Sequence, residues 1–137
     1  MSEQTVTTGE VVAAFLEACG VQVAFGVISI HNLPMLDALG RSAEIRFVPT
    51  RGEAGAVNMA DAYARTRGEL GVAFTSTGTG AGNAAGALVE AETAGTPLLH
   101  LTGQIDLPHL DRGRGYIHET KAQLGMLRSI SKAVYRV

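Results

Sequence analysis

The sequence lacks several features that identify common classes of protein. Its 137 residues include one cysteine, Cys19, which excludes an internal disulfide and suits a reducing compartment such as the cytoplasm. No apolar run is as long as a membrane span, which needs about 18 residues. The first ten residues are polar and acidic, unlike a secretory signal. The 11 basic and 13 acidic residues form no run of like charge. Neither nucleic acid nor a membrane is therefore expected as a partner.

Signatures of metal and nucleophilic sites are also missing. No HxxxH or Cys/His cluster occurs, so no metal ligand is predicted, and His100 reads as a core histidine while His109 and His118 read as solvated loop residues. Ser76 lacks the G-x-S-x-G elbow of a serine nucleophile. Cys19 ends an apolar helical pattern and is interpreted as packing.

The sequence does contain a repeated alternation of short apolar strands and helical patterns. The predicted strands are 21–27, 45–49, 71–77, 97–103 and a last one at 132–137. Five helices are predicted. The first begins at Thr7 or Thr8 and ends at Gly20, the second spans 33–40, the third begins at about Glu53, the fourth ends at about Thr93, and the fifth lies within 119–130. Nearly continuous apolar strands alternating with helices indicate parallel pairing. We predict one α/β domain, a doubly wound, mostly parallel sheet of about six strands with helices on both faces.

Four loops of this sheet are candidates for a functional site. In an open parallel sheet, ligands bind outside the carboxyl ends of the strands, which are followed here by loops 28–32, 49–53, 77–83 and 103–118. These loops hold His31, Glu53, the glycine-rich TGTGAGN and Gln104. Each also has a structural interpretation: an acid in a first helical turn complements the helix dipole, a histidine orders its loop, and glycines make a turn.

The glycine-rich turn is only a weak nucleotide signature. Gly80, Gly82 and Ala85 satisfy a loose G-x-G-x-x-A, but they follow the third strand, and the acid expected about 20 residues later is absent. No Gly-Lys-Ser/Thr follows, which excludes a Walker A loop. A nucleotide-binding Rossmann domain therefore remains as a minor alternative.

Two segments carry a resemblance to a known family, namely FGV…HNLPMLDAL and FVPTRGEAGAVNMADAYARTRGELGVAFTSTGTGAGNAAGALVEAETAGTPLLHLTGQ. They resemble the N-terminal pyrimidine-binding domain of thiamine diphosphate-dependent enzymes, most closely acetolactate synthase. The resemblance runs from about residue 5 to the end. It implies a lyase or transferase that decarboxylates or ligates 2-oxo acids or aldehydes with thiamine diphosphate as the electron sink.

The resemblance also implies roles for individual residues. Glu53, in Arg51-Gly52-Glu53, matches the catalytic glutamate that hydrogen-bonds N1′ of the aminopyrimidine and exchanges a proton with it. Thr77, Gly78 and Asn83 match cofactor-binding positions of the family's SGPGATN.

Other matches concern the substrate side, where this sequence departs from the family. Gln104, in TGQ, and His31 match positions that face the substrate. The family's histidine before the glutamate is Gly52 here, its Pro-Gly after the first strand is 28–29 (Ile-Ser), and the proline of its GPG is Thr79. These departures suggest a different choice of substrate.

The resemblance implies partners as well. Mg²⁺ and the diphosphate are held in the family by a separate C-terminal domain with a GDG…N motif, which 1–137 lacks. We therefore expect 1–137 to be a fragment of a longer chain, inactive alone, that pairs with the pyrophosphate-binding domain of the same or a partner chain in a homodimer or homotetramer. The alternatives are a separate α subunit of a two-subunit decarboxylase and a non-catalytic dimerisation module.

Overall fold

Helices and strands alternate along residues 5–137, the part of the chain that the computed structural model describes. The helices are α1 Thr8–Ala18, α2 Leu33–Gly40, α3 Glu53–Arg67, α4 Thr79–Thr93 and α5 Gln123–Arg128. The strands are β1 Val23–Gly26, β2 Arg46–Pro49, β3 Gly71–Thr75 and β4 Leu98–Thr102. Residues 1–4, on which part of the argument against a secretory signal rests, lie outside the described residues. Among residues 5–137, no helix combines the length and apolar character that crossing a bilayer requires.

The four strands form one parallel sheet in the order β2-β1-β3-β4. Every residue of β3 is buried, as expected of a central strand covered on both faces, whereas β2 and β4 at the edges are partly exposed. After β1, the chain forms β2 on one side of β1 and then β3 on the other side of β1. A crevice is therefore expected between the carboxyl ends of β1 and β3.

The sheet separates two apolar cores, one on each face. Alternate strand residues point to opposite faces, so Ala24, Val72 and Phe74 join one core while Phe25 and Ala73 join the other. The first core is completed by α1 and α2 and the second by α3, α4 and α5. The predicted α/β class, the parallel pairing and the helices on both faces are confirmed.

Small residues bring α3 close to the sheet. Its buried face is mostly alanine, and a Cβ atom at Gly71, the first residue of β3, would lie 2.4 Å from the carbonyl oxygen of Ala60. This contact requires glycine on the strand. The first residue of this helix, Glu53, lies at the carboxyl edge of the sheet because α3 begins shortly after the end of β2 at Pro49.

The predicted number of strands, about six, was wrong for this chain. Four strands form among residues 5–137, and the segment 132–137 that was predicted as a last strand has no regular structure. Val134 packs against the second core, but the side chains of Tyr135 and Val137 are 84% and 97% exposed. An apolar alternation makes a strand only where a neighbouring strand pairs with it, and none of the described residues provides one.

The interpretation of Cys19 as a packing residue was also wrong. Cys19 is the C-cap of α1 and is exposed, because the helix turns Ala13 and Leu16 to the core. The predicted start of this helix is confirmed by a capping box, in which Thr7 Oγ1 accepts from the Glu10 amide at 3.3 Å and Glu10 Oε2 accepts from the Thr7 amide at 2.8 Å.

Candidate functional site

The loops that follow the strands meet at one edge of the sheet, as the topology predicted. Asn83 Nδ2 donates to Glu53 Oε2 at 3.2 Å, which joins the β2–α3 and β3–α4 loops. A Cβ atom at Gly103, after β4, would lie 2.7 Å from the carbonyl oxygen of His31, after β1. Four chain segments far apart in sequence therefore form one crevice.

Glu53 is the first residue of α3 and is half-buried. An acidic residue in the first turn of a helix complements the partial positive charge of the helix N-terminus. One carboxylate oxygen accepts from Asn83, while Oε1 accepts no hydrogen bond from the residues that the structure describes. The structural role expected from its helical position is thus combined with an oxygen that has no partner among the described residues.

Gly80 creates the space that the Glu53 carboxyl group occupies. A Cβ atom at position 80 would lie 2.9 Å from Glu53 Oε1 and 2.7 Å from Cβ of Ser76. A side chain here would displace the carboxyl group or the end of β3. The glycine of the turn is therefore explained by close approach to an acid, a reason that neither a phosphate loop nor a bare turn supplies.

Thr77 and Gly78 are held from below the crevice by Gln123, the first residue of α5. The fully buried Thr77 hydroxyl donates to Gln123 Oε1 at 2.7 Å, and the Gly78 amide donates to the same oxygen at 2.7 Å. Gly78 has φ +57°, and a Cβ atom there would lie 1.9 Å from the carbonyl oxygen of His118. The Thr77 hydroxyl points to the protein interior, so the predicted contact with a cofactor is left to its backbone and to Gly78.

Asn32 fixes the loop that carries His31. It is completely buried, accepts from the Ser29 amide at 2.9 Å, and donates to the carbonyl oxygens of Val27 at 2.9 Å and Thr75 at 3.2 Å. These bonds join the ends of β1 and β3, at the point where the order in which strands are added to the sheet reverses. His31 is thereby held at the crevice.

His31 and His118 form a pair of imidazoles at this edge. Their ring centroids are 5.4 Å apart, and His118 Nδ1 lies 3.3 Å from the Ser76 hydroxyl. Burial, and secondly the neighbouring His118, lower the pKa of His31, against a smaller opposite effect of Asp106. Nδ1 of His31 is buried and has no hydrogen-bond partner among the described residues. Burial and His118 both favour the neutral form of His31.

The expectation that His118 is a solvated loop residue was wrong. His118 is half-buried with φ +62°, a conformation that is uncommon for residues other than glycine and is held here by contacts to Ser76 and Gly78. His100, predicted as a core histidine, lies on the edge strand β4 and is half-buried; its Nε2 lies 2.8 Å from Thr75 Oγ1, and burial lowers its pKa to about 4. His109 stacks on Tyr116 with ring centroids 4.1 Å apart.

Gln104 lies on the other side of the crevice from Glu53. Its Oε1 accepts from the Ile105 amide at 2.8 Å and, weakly, from the Thr77 hydroxyl at 3.4 Å. The residue also lines an open groove of about 610 Å³ between the 104–122 segment and α5. In the described part of the chain, no three His, Cys, Asp or Glu residues are grouped to hold a metal ion.

Sequence reasoning missed four residues of this edge, namely Asn32, Ser76, His118 and Gln123. Asn32 and Ser76 stand beside positions that the topology had singled out, so their place could have been found. Gln123 lies in a helical pattern that mixes polar and apolar residues, which gave no signal for a buried hydrogen bond. His118 carried no signal, because its position depends on how an irregular segment folds back.

Comparison with known families agrees with this geometry. A family model described as the N-terminal TPP binding domain of thiamine pyrophosphate enzymes matches residues 6–126. The chain belongs to this family. The TPP-binding domain expected from the sequence resemblance is therefore confirmed.

Individual relatives of this TPP-binding domain are enzymes of several kinds. A probable 2-ketoarginine decarboxylase of Pseudomonas aeruginosa is 38% identical over 129 residues, which are 94% of this chain and 23% of that protein. The acetolactate synthase large subunit of Lactococcus lactis is 30% identical over 135 residues, 98% of this chain and 23% of that protein.

A solved structure is similar over the same extent. The thiamine diphosphate-dependent 4-hydroxybenzoylformate decarboxylase of Rhodococcus jostii RHA1 matches 93% of this chain with a TM-score of 0.83 and 26% identity, and the match covers 23% of that chain. This TPP-binding domain thus spans just under a quarter of the length of the relatives described here.

Proposed function

We propose that this TPP-binding domain supplies the aminopyrimidine side of an active site that decarboxylates or ligates 2-oxo acids or aldehydes. The observation that carries the proposal is the Glu53 carboxyl group, placed over Gly80 with one oxygen bonded to Asn83 and the other open. When bound, thiamine diphosphate supplies an electron sink for a carbanion next to a carbonyl group.

The residues at the crevice fit a flat, polar ring. Gly80 keeps the space beside Glu53 Oε1 free of a side chain, and a ring nitrogen is a suitable partner for that oxygen. Asn83 fixes the carboxyl group by its bond to Oε2. Gly78 presents backbone rather than a side chain to the same edge. We propose Glu53, Thr77, Gly78 and Asn83 as the cofactor-binding set.

Glu53 is the residue proposed to hold and move a proton. A half-buried carboxyl group at the end of a helix exchanges a proton with a ring nitrogen when the two are held at hydrogen-bond distance. Asn83 restrains one oxygen, so that the other stays directed towards the ring. His31 and Gln104, which flank the crevice, are proposed to face the substrate.

The space next to Glu53 bears on substrate choice. A Cβ atom at Gly52 would meet no atom within 4 Å. His31 and the adjacent His118 provide imidazole groups on the opposite side. The decarboxylases among the relatives act, by their names, on 2-ketoarginine and 4-hydroxybenzoylformate, which supports a 2-oxo acid as substrate.

The rest of the active site is proposed to lie outside residues 1–137. Mg²⁺ and the diphosphate would be held by a pyrophosphate-binding domain of the same or a partner chain, in a cytoplasmic homodimer or homotetramer, and the isolated domain would be inactive. The length of the relatives supports a fragment of a longer chain. A reading frame that continues past Val137 would support this version, and one that stops there would support a separate α subunit.

Calorimetry of the whole protein with thiamine diphosphate tests the proposal. Binding is expected in the presence of Mg²⁺ and much weaker binding without it, with release of CO₂ from at least one of the probes pyruvate, benzoylformate and 2-ketoarginine. The absence of Mg²⁺-dependent binding would contradict the proposal and favour a non-catalytic dimerisation module. Binding of NAD by residues 1–137 alone would instead favour a nucleotide-binding domain.

A further inference from the structure

Gln123 connects the two segments that follow the neighbouring strands β3 and β4, beyond the last paired residues Thr75 and Thr102. Its side chain is 5% exposed and makes three hydrogen bonds. Oε1 accepts from the Thr77 hydroxyl and the Gly78 amide, both at 2.7 Å, and Nε2 donates to the Gly103 carbonyl oxygen at 3.0 Å. One amide group therefore joins the turn before α4 to the end of β4.

The turn side of this connection leads to Glu53. Gly78 is the N-cap of α4 and has φ +57°. Its carbonyl oxygen accepts the first helix bond, from the Gly82 amide at 2.9 Å, but its own amide is held by Gln123 and not by a helix carbonyl. The first two turns of α4 carry Gly80 and Asn83, which define where the Glu53 carboxyl group lies. A shift of the Gly78 turn would therefore move the surroundings of the acid.

The strand side of the connection leads to the opposite wall. Gly103 precedes Gln104 and lies against the His31 backbone, where a Cβ atom would be 2.7 Å from the His31 carbonyl oxygen. The Gly103 carbonyl oxygen is fixed by Gln123 Nε2. Its release would free both Gln104 and the contact with His31.

We propose that Gln123 is a positioning residue that fixes the distance between the Glu53 side and the Gln104 side of the crevice. That the Glu53 side faces the cofactor and the Gln104 side faces the substrate rests on the proposed function. The hydrogen-bonded connection through Gln123 does not. A neutral amide suits this position, because it offers an acceptor to two donors and a donor to a carbonyl oxygen at the same time, which an ionised carboxylate does not.

Two substitutions separate the ends of the side chain. Gln123→Glu keeps an acceptor for Thr77 and Gly78 but places a carboxylate oxygen against the Gly103 carbonyl oxygen, so only the Gly103 end should be released. Gln123→Met fills a similar volume and should release both ends. Met126→Ala, on the same helix and packed on the second core without a bond to either loop, is the control.

Hydrogen exchange and calorimetry on the whole protein provide the test. In Gln123→Met, amide exchange in 77–82 and in 103–106 should each be about tenfold faster, and the Kd for thiamine diphosphate with Mg²⁺ about tenfold weaker. In Gln123→Glu at pH 8, only 103–106 should exchange faster and the Kd should stay the same. Met126→Ala should lower the Tm without changing the Kd.

Other outcomes overturn the proposal in recognisable ways. Unchanged exchange in 77–82 and an unchanged Kd for Gln123→Met would show that the amide positions nothing. Equal effects of the Glu and Met variants on both segments would show general loosening instead of two separable ends. If the unmodified protein fails to bind thiamine diphosphate, the proposed function fails, and the exchange data alone still decide whether Gln123 connects the two loops.

Discussion

β3 with α4 (71–93) and the irregular segment 104–122 build opposite sides of one crevice, and their structures are determined in different ways. In the first, five consecutive buried strand residues lead through a glycine turn into a helix of 15 residues. In the second, no helix or strand forms, and both Asp111 and His118 have positive φ. The first region follows its own local pattern. The second is held on the first by a few side-chain contacts, with His118 Nδ1 3.3 Å from the Ser76 hydroxyl and Gln104 Oε1 3.4 Å from the Thr77 hydroxyl.

The largest effect is expected where the two regions touch. Gly78→Ala would place a Cβ atom within 1.9 Å of the His118 carbonyl oxygen at a residue with φ +57°. Overpacking and the unfavourable backbone together should lower the free energy of unfolding by about 3 kcal/mol. Denaturant unfolding measures this, with Gly82→Ala as the control.

Position 82 lies in the same helix, is exposed and has open space around it. Alanine there should be neutral or stabilising by up to about 1 kcal/mol, because it favours the helix. Equal stability of the two variants would mean that the 104–122 segment does not dock on Gly78.

A histidine on β4, bonded to the last residue of β3, tests the packing of the first region through pH. Burial lowers the pKa of His100 to about 4, below its ordinary value of 6.5, so the unfolded chain binds more protons between these values. The stabilisation is complete above about pH 6.5 and is lost as the pH falls towards 4, by at most about 3 kcal/mol. Relative to the unmodified protein, His100→Gln should show a flatter dependence of unfolding free energy on pH in this interval. Parallel curves would rule out the assigned burial.

A helix cap outside both regions provides a local reference. Thr7→Ala removes the side-chain oxygen that accepts from the Glu10 amide at the start of α1. The free energy of unfolding should fall by about 1 kcal/mol, with the crevice unchanged. Thr8→Ala, inside the helix, is the comparison and should cost less; a larger loss for Thr8 would place the cap one residue later.

The smallest effect on global stability is expected from His118→Ala. The contact with Ser76 and the proximity to His31 would be lost, but few apolar contacts depend on this side chain. Unfolding free energy should change by less than about 1 kcal/mol, while exchange in 104–122 increases. The pKa of His31, measured by NMR titration, should rise towards its ordinary value, because His118 contributes to lowering it. A fall in that pKa would contradict the described pairing.

The same contrast explains how much the sequence could predict. Glu53 and Gln104 could be placed at one edge because parallel strands bring their carboxyl ends together, and the contact between Glu53 and Asn83 follows from that edge. The sheet size could not be predicted from 132–137, because strand formation needs a partner that apolar alternation does not reveal. His118 and Gln123 stayed hidden, since three-dimensional contacts determine their roles.

The central claim is that Glu53 exchanges a proton at the crevice, and turnover of Glu53→Gln in the whole protein tests it most directly. The substitution keeps the size of the side chain and its bond to Asn83, so thiamine diphosphate should still bind with Mg²⁺. Turnover should fall at least about 10²-fold, the lower range for general acid–base catalysis, while Glu92→Gln, at an exposed acid far along α4, should leave it unchanged. Near-normal turnover of Glu53→Gln with normal cofactor binding would contradict the assignment.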